Sequence, residues 1–199
     1  MARPSRRAAR LLGAGAAAAC FTASAAVVWH ASYSAFSATT ANPSSNWATG
    51  SVALSDDDAN TAMFSASNLK PGSTGSRCIA VTSTGSLPSA VKLYGTGSAT
   101  TNALSSWVNL TITQGTGGSF GSCTGFTPQA SGASVFTGSL ASFASTATGY
   151  STGLGNWTPT GSGSDTRVFQ VSYTLDPTAP NSTQGGTASV GFTWEAQNT

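Results

Sequence analysis

The feature that most constrains the fold is a strict alternation of apolar and polar side chains near the C-terminal end of this 199-residue chain. A period of two is typical of a strand with one buried face, whereas a helix would repeat every three to four residues. The pattern predicts two strands. Phe169, Val171, Tyr173 and Leu175 share one face of the first, and Val190, Phe192 and Trp194 share one face of the second.

Shorter alternating runs, separated by turns rich in glycine, serine and threonine, fill much of the chain before these strands. Only 7% of the residues are charged and 39% are hydrophobic, which is typical of a secreted β protein and not of a disordered chain. Roughly seven to nine short strands in this order predict an all-β sandwich. The other strands are expected around these apolar positions: Val52 and Leu54; Ala62, Phe64 and Ala66; Ile79 and Val81; Val91 and Leu93; Val108, Leu110 and Ile112.

One short helix interrupts the predicted strands. Ser139 is a favoured N-cap residue, and Leu140, Phe143 and Ala144 follow it at helical spacing. The segments 115–132 and 150–165 are rich in glycine, serine and threonine. We expect both of them to be loops.

The N-terminal segment 1–34 has the order of a bacterial export signal. Four arginines precede an apolar run from Leu11 to Trp29, and small side chains follow at Ser32 and Ser34. This order predicts cleavage between Ser34 and Ala35. An uncleaved anchor is the alternative, because the run approaches the length that spans a bilayer. We therefore expect a secreted or cell-surface protein that meets the membrane only through its signal.

The charge of the exported part excludes one class of partner. Residues 35–199 carry four cationic and six acidic side chains, a net charge of −2. Nucleic-acid binding needs a basic surface that displaces counterions, and none is present. The single histidine, His30, lies in the signal segment. Without imidazole for metal ligation or nucleophile activation, we expect no enzyme, no metal and no cofactor.

Two sets of carboxylates could in principle bind a cation or catalyse hydrolysis. Asp56, Asp57 and Asp58 offer oxygen ligands for a hard cation, but consecutive residues point in different directions, which favours a solvated turn. Glu195 could form a glycosidase pair with Asp165 or Asp176. A structural role at the surface is the simpler interpretation for these acids.

Cysteine usage predicts one disulfide. Cys20 lies in the signal segment, which leaves Cys78 and Cys123 in the exported part. Two cysteines in an oxidising compartment most simply pair with each other, and free or intermolecular thiols are the alternative. A bond between them would stabilise the fold by about 4 kcal/mol through loop entropy.

The first exported residues, 35–45, are predicted to be extended. Phe36, Ala38 and Thr40 alternate with small polar side chains, and Pro43 ends the run. A frayed terminus is the default interpretation of such a segment. Residues 46–199 would then form the sandwich domain.

Several short sequences at both ends of the exported part resemble the TasA/camelysin family of exported proteins. They are Ala35-Phe36-Ser37, Trp47-Ala48-Thr49-Gly50-Ser51-Val52-Ala53-Leu54-Ser55, Leu69-Lys70-Pro71-Gly72, Thr84-Gly85-Ser86-Leu87, Asn181, Gln184-Gly185, Phe192 and Glu195-Ala196-Gln197. Residues 95–165 and the two cysteines depart from the family pattern.

This resemblance implies a jelly-roll-like β-sandwich at the cell surface or in a biofilm matrix. It also implies head-to-tail fibres in which the N-terminal strand of one subunit completes the sheet of the next. Phe36, Ala38 and Thr40 would be the side chains of that assembly strand. The partner would be the chain itself, with other matrix proteins or polysaccharide as further partners.

A monomeric adhesin or carbohydrate-binding module is the alternative function. Trp157 and Tyr150 lie in a glycine-rich segment, where aromatic rings can stack on sugars. A role in capping one end of the sandwich is the simpler interpretation of both. The two functions differ in whether filaments form after export.

Overall fold

A computed structural model describes residues 49–199 of the chain. Within this range there are nine strands, one α-helix and three short 3-10 turns. The strands are β1 (Leu54–Asp56), β2 (Thr74–Ser83), β3 (Ser89–Thr100), β4 (Val108–Thr116), β5 (Thr127–Pro128), β6 (Ser134–Ser139), β7 (Leu154–Trp157), β8 (Asp165–Leu175) and β9 (Ala188–Asn198); the helix is α1 (Leu140–Thr146). The 3-10 turns are Leu104–Ser106, Tyr150–Thr152 and Asn181–Thr183.

The strands form two antiparallel sheets. The larger sheet has the order β1-β2-β8-β4, and both β5 and β6 pair with the far side of β4. The smaller sheet has the order β7-β3-β9. Strands β2 and β8 lie side by side in the larger sheet, and the strands that follow them, β3 and β9, lie side by side in the smaller one.

The core lies between the two sheets and follows the alternation of the sequence. Val171 in β8, Ile112 in β4 and Leu93 in β3 are each at most 1% exposed. The ring of Phe169 in β8 lies 5.2 Å from that of Trp194 in β9, so the two sheets contact each other directly. The prediction of an all-β sandwich with one short α-helix is confirmed.

Helix α1 closes one end of this core. Its N-cap is Ser139, whose hydroxyl accepts the Ser142 N–H at 3.1 Å, as the sequence predicts. Phe143 is fully buried and packs between the rings of Phe136 and Phe192 at 5.2 and 5.6 Å. Phe143 and the buried Leu140 therefore anchor a helix that is too short to be stable alone.

The strand predicted around Ala62, Phe64 and Ala66 is wrong, because residues 57–73 contain no strand. Ala59 and Asn60 have φ values of 52° and 61°, a left-handed turn that breaks the extended backbone. Phe64 nevertheless packs on the core, with its ring 5.2 Å from that of Tyr173. The segment therefore contributes apolar side chains without forming a ladder.

Both predicted loops contain short strands. Segment 115–132 includes β5, and segment 150–165 includes β7. Gly155 in β7 has a φ of 97°, and the pairing of β7 with β3 shifts register there, as expected for a bulge. Trp157 holds β7 in place, because it is 2% exposed and its Nε1 donates to Asp165 Oδ2 at 3.0 Å.

Candidate functional site

The predicted disulfide is present and ties the loop after β4 to strand β2. Cys78 in β2 is bonded to Cys123. Beside the bond, the Gly121 N–H donates to the Cys78 carbonyl at 3.0 Å, and Arg77 Nη1 donates to the Gly121 carbonyl at 2.9 Å. The bond and its neighbours together fix a glycine-rich loop against the sheet.

The Asp57 carboxylate holds the same loop by hydrogen bonds. Its Oδ1 accepts the Ala80 N–H at 2.8 Å and its Oδ2 accepts the Phe120 N–H at 2.7 Å. Asp57 therefore makes specific structural contacts, which the prediction of a solvated turn did not include. The preceding residue, Asp56, has a raised pKa, because of burial and a hydrogen bond with Asp58. Within residues 49–199, no group of three potential metal ligands converges.

The remaining carboxylates each have hydrogen-bond partners. Asp165 accepts from Trp157, as described above. Hydrogen bonds from Thr178 lower the pKa of Asp176. Hydrogen bonds from Gln197 and then Tyr94 lower the pKa of Glu195. These contacts fit the structural role that the sequence favoured.

The free side of β2 and the space between β4 and β7 are both occupied by specific contacts. At the edge of the larger sheet, β1 pairs with the end of β2, and the Asp57 carboxylate and the Gly121 amide occupy the next backbone groups. On the opposite side, Gln114 of β4 donates from Nε2 to the Gly132 carbonyl at 2.7 Å and to Asn156 Oδ1 in β7. That contact joins the two sheets.

Strand β9 has the longest side without a strand partner among residues 49–199. The strand is 11 residues long and, among residues 49–199, pairs only with β3. No backbone hydrogen bond to another described residue occurs on its other side. A long strand with such an edge presents a row of unpaired N–H and C=O groups.

The core is also incompletely covered beside this edge. The side chains of β9 that face the larger sheet are only partly buried, although the matching side chains of β3, Val91 and Leu93, are at most 2% exposed. We call the partly buried set the β9 groove, and it consists of Val190, Phe192, Trp194 and Ala196.

Trp194 carries an unpaired donor within this groove. Its Nε1 is enclosed by other atoms but donates to no acceptor. A buried N–H without a partner is costly, so native proteins rarely leave one. Of the four enclosed side-chain atoms without a partner among the described residues, it is the one that lies on β9.

The described chain begins close to the C-terminal end of β9. The carbonyl of Ser51 accepts the N–H groups of Ser86 and Leu87 at 2.8 and 3.2 Å. The next carbonyl along the chain, that of Pro88, accepts the Thr199 N–H at 3.2 Å. Ser51 and the C-terminal end of β9 therefore both contact the segment 86–88 that leads into β3.

Aromatic side chains do not form an exposed platform in the described range. All 13 of them between residues 49 and 199 are at least partly buried. Trp157 is in the core, and the Tyr150 hydroxyl donates to the Ala90 carbonyl at 2.9 Å. Both side chains are packed against the protein, which fits the structural role that was the simpler interpretation of the sequence.

The sequence-predicted assembly residues lie outside the described residues. These are the cleavage pair Ser34 and Ala35 and the strand residues Phe36, Ala38 and Thr40. What the sequence did not predict is which edge is open. Only the pairing of the strands shows that, because β9 and the covered strand β8 have the same alternation.

The chain matches no family model, and no curated protein is significantly similar to it in sequence. No helix between residues 49 and 199 has the length and apolar character needed to cross a membrane.

Proposed function

We propose that the chain is a secreted structural subunit of an extracellular or cell-surface fibre. In this proposal, residues 35–45 of one copy add a strand to the open edge of β9 in the next copy. The observation that carries the proposal is the 11-residue edge of β9, which has no strand partner within the described range.

Strand addition suits this edge for two physical reasons. Main-chain hydrogen bonds from an incoming strand would satisfy the unpaired backbone groups, and its alternate side chains would enter the β9 groove. Phe36, Ala38 and Thr40 have the matching alternation. The contact joins two different surfaces, so it does not close on itself and adds subunits head to tail.

The surface around β9 is compatible with contact between copies. The side chains of β9 on the solvent face are small or polar, and the acid among them, Glu195, is hydrogen-bonded to Tyr94 at 2.9 Å. Lys92 on the neighbouring strand donates to the Gly155 carbonyl at 2.7 Å. Charge repulsion between approaching copies is therefore small at this edge.

Electron microscopy of the exported protein tests the proposal. The full chain would be expressed in a host that exports it, beside a variant that lacks residues 36–42. We expect filaments from the first and single molecules from the second, because the deletion removes the incoming strand but leaves the compact unit Thr49–Thr199 intact.

Two point variants distinguish a specific loss of pairing between the N-terminal strand and β9 from a general loss of folding. Phe36→Ser removes the largest side chain of the groove-facing set and should abolish filaments. Ser37→Ala, on the opposite face, should preserve them. If the deletion variant assembles as the full chain does, the N-terminal strand has no part in assembly and the proposal fails.

A further inference from the structure

The solvent face of the larger sheet carries a regular array of small polar side chains. The register of β2, β8, β4 and β6 places residues on this face directly opposite one another, in rows that cross all four strands. One row consists of Thr74, Thr174, Asn109 and Ser139, and the next consists of Ser76, Ser172, Thr111 and Thr137. We call these eight side chains the hydroxyl face, because seven of them are serine or threonine.

The alternation of the strands explains why the hydroxyl face is accessible. Leu110 and Ile112 of β4 point into the core and are at most 3% exposed, so Thr111 between them points to solvent and is exposed. None of the eight side chains is fully buried. On β2 the array ends at Cys78, which is bonded to Cys123 and fully buried.

The backbone sets the spacing of the side chains on this face. Neighbouring strands lie about 4.8 Å apart and alternate residues of one strand about 6.7 Å apart, so the side chains repeat in two directions. Half of them are threonines, whose branching at Cβ restricts χ1 and holds the hydroxyl and the methyl group in place. Little side-chain entropy is therefore lost when a rigid partner binds here.

The hydroxyl groups keep hydrogen-bonding capacity toward solvent. Ser76 and Ser172 share a hydrogen bond between their hydroxyls at 2.9 Å, and the Thr137 hydroxyl donates to the Phe136 carbonyl at 2.9 Å. A hydroxyl has one donor and two acceptor positions, so each of these groups retains capacity after its internal bond. The face therefore offers donors and acceptors at fixed points.

The composition of the hydroxyl face disfavours the common macromolecular partners. Its eight positions carry no charge and no aromatic ring. The cores of protein interfaces are rich in aromatic residues and arginine and poor in serine. Nucleic acids need positive charge, and a sugar would find no ring on which to stack. A matching partner is therefore uncharged and rigid, with polar groups that repeat in two directions.

We propose that the hydroxyl face binds ice. The oxygen atoms of an ice crystal repeat in two directions at intervals of similar size, and its surface waters offer both donors and acceptors. The hydroxyls would bond to ordered water, while the threonine methyl groups cover apolar area between them. Because adjacent strands twist relative to each other, only a small patch meets a crystal plane, so we expect adhesion to growing ice and little depression of the freezing point.

This proposal goes beyond the proposed function and does not rest on it. The hydroxyl face belongs to the larger sheet, whereas β9 belongs to the smaller one. The variant that lacks residues 36–42 should therefore bind ice as the full chain does. Loss of filaments with retained ice binding would separate the two proposals.

Incorporation into a slowly growing ice front tests the proposal. The exported full chain would be mixed with a reference protein of similar size that has no affinity for ice. We expect the chain to be enriched in the ice relative to the reference. Equal fractions of both proteins in the ice would overturn the proposal. So would retention on insoluble cellulose or chitin without enrichment in ice, which would assign the face to a polysaccharide.

Lysine substitutions locate the binding surface. Thr111→Lys and Thr137→Lys each place a long charged side chain on the hydroxyl face, at an exposed position, and each should abolish the enrichment without changing the melting temperature. Thr96→Lys is the matched control, because Thr96 is an exposed strand residue of the smaller sheet, and this variant should be enriched as the parent is. Enrichment that survives both substitutions on the face, or that is lost equally in the control, would overturn the assignment.

Discussion

Adjacent aspartates in this chain have opposite effects on folding. Asp57 accepts two backbone N–H groups, from Ala80 and Phe120, and joins the disulfide loop to the edge of β2. Asp56 has no such pair of donors, and its burial raises its pKa. Its ionised form is therefore less favourable in the folded protein than in the unfolded chain.

We predict that Asp57→Asn lowers the free energy of unfolding by about 1 kcal/mol at neutral pH, because the amide leaves one backbone N–H without its acceptor. Denaturant unfolding at neutral pH measures this difference. An unchanged midpoint would show that the second carboxylate oxygen of Asp57 contributes nothing to stability.

The matched variant Asp56→Asn should raise the melting temperature at neutral pH. The folded protein binds a proton at Asp56 more readily than the unfolded chain does, so its ionisation destabilises the fold as pH rises above the ordinary value of 3.8. The gain should shrink below that pH, where both states are protonated. Thermal melts of both proteins across the acid range test this, and a gain that persists in acid would contradict it.

Among the structural elements, the loop held by Cys123 depends most on a single covalent bond. The disulfide spans 45 residues along the sequence and anchors a glycine-rich loop, of which Phe120 packs on the core. Arg77 and Asp57 hold the same loop by hydrogen bonds. These contacts keep the loop close to β2 only while the chain is folded.

We predict that replacing both cysteines by serine lowers the free energy of unfolding by about 4 kcal/mol, because the unfolded chain regains the entropy of an open loop. Urea unfolding of the variant beside the parent protein measures this loss. Filament formation should persist below the melting temperature, since the bond does not touch β9. A loss of filaments from a fully folded variant would contradict that separation.

Alternation predicted the elements that lie fully between the sheets and missed those that depend on distant contacts. Strands β4, β8 and β9 were predictable because each has a run of at least three alternating apolar side chains on one face. Phe64 has the same local pattern, but its segment follows a left-handed turn at Ala59 and Asn60 and pairs with no strand. Strand β7 depends on Trp157 reaching the core and Asp165, which no local pattern shows.

The candidate site was predictable only in part. The sequence indicated a segment able to add a strand, but the acceptor is defined by the order of strands in the smaller sheet. Gln114 shows the same limit, because its polar side chain lies on a core-facing position and joins β4 to β7 by hydrogen bonds. Neither feature follows from residue types at fixed spacing.

At the scale of the whole molecule, the proposed function depends on the unequal lengths of the unpaired strand sides within residues 49–199. Strands β6 and β7 also pair on one side only within residues 49–199, but they are 6 and 4 residues long, against 11 for β9. The free side of β2 is occupied by β1, by Asp57 and by the Gly121 amide of the loop that carries Cys123. Shielding is how β proteins avoid indiscriminate edge-to-edge association. Under the proposed function, the long free side of β9 is where copies associate, and a head-to-tail contact there gives a chain of subunits.

Residue-resolved hydrogen exchange along β9 tests the central claim most directly. In an extended strand, successive backbone N–H groups point alternately to the two sides, so one half face β3 and the other half face the open edge. We predict that the edge-facing amides of residues 188–198 exchange rapidly in the dispersed subunit and become protected in filaments, while the β3-facing amides are protected in both. Edge-facing amides that are already protected in the single molecule, or that remain unprotected in filaments, would contradict the account.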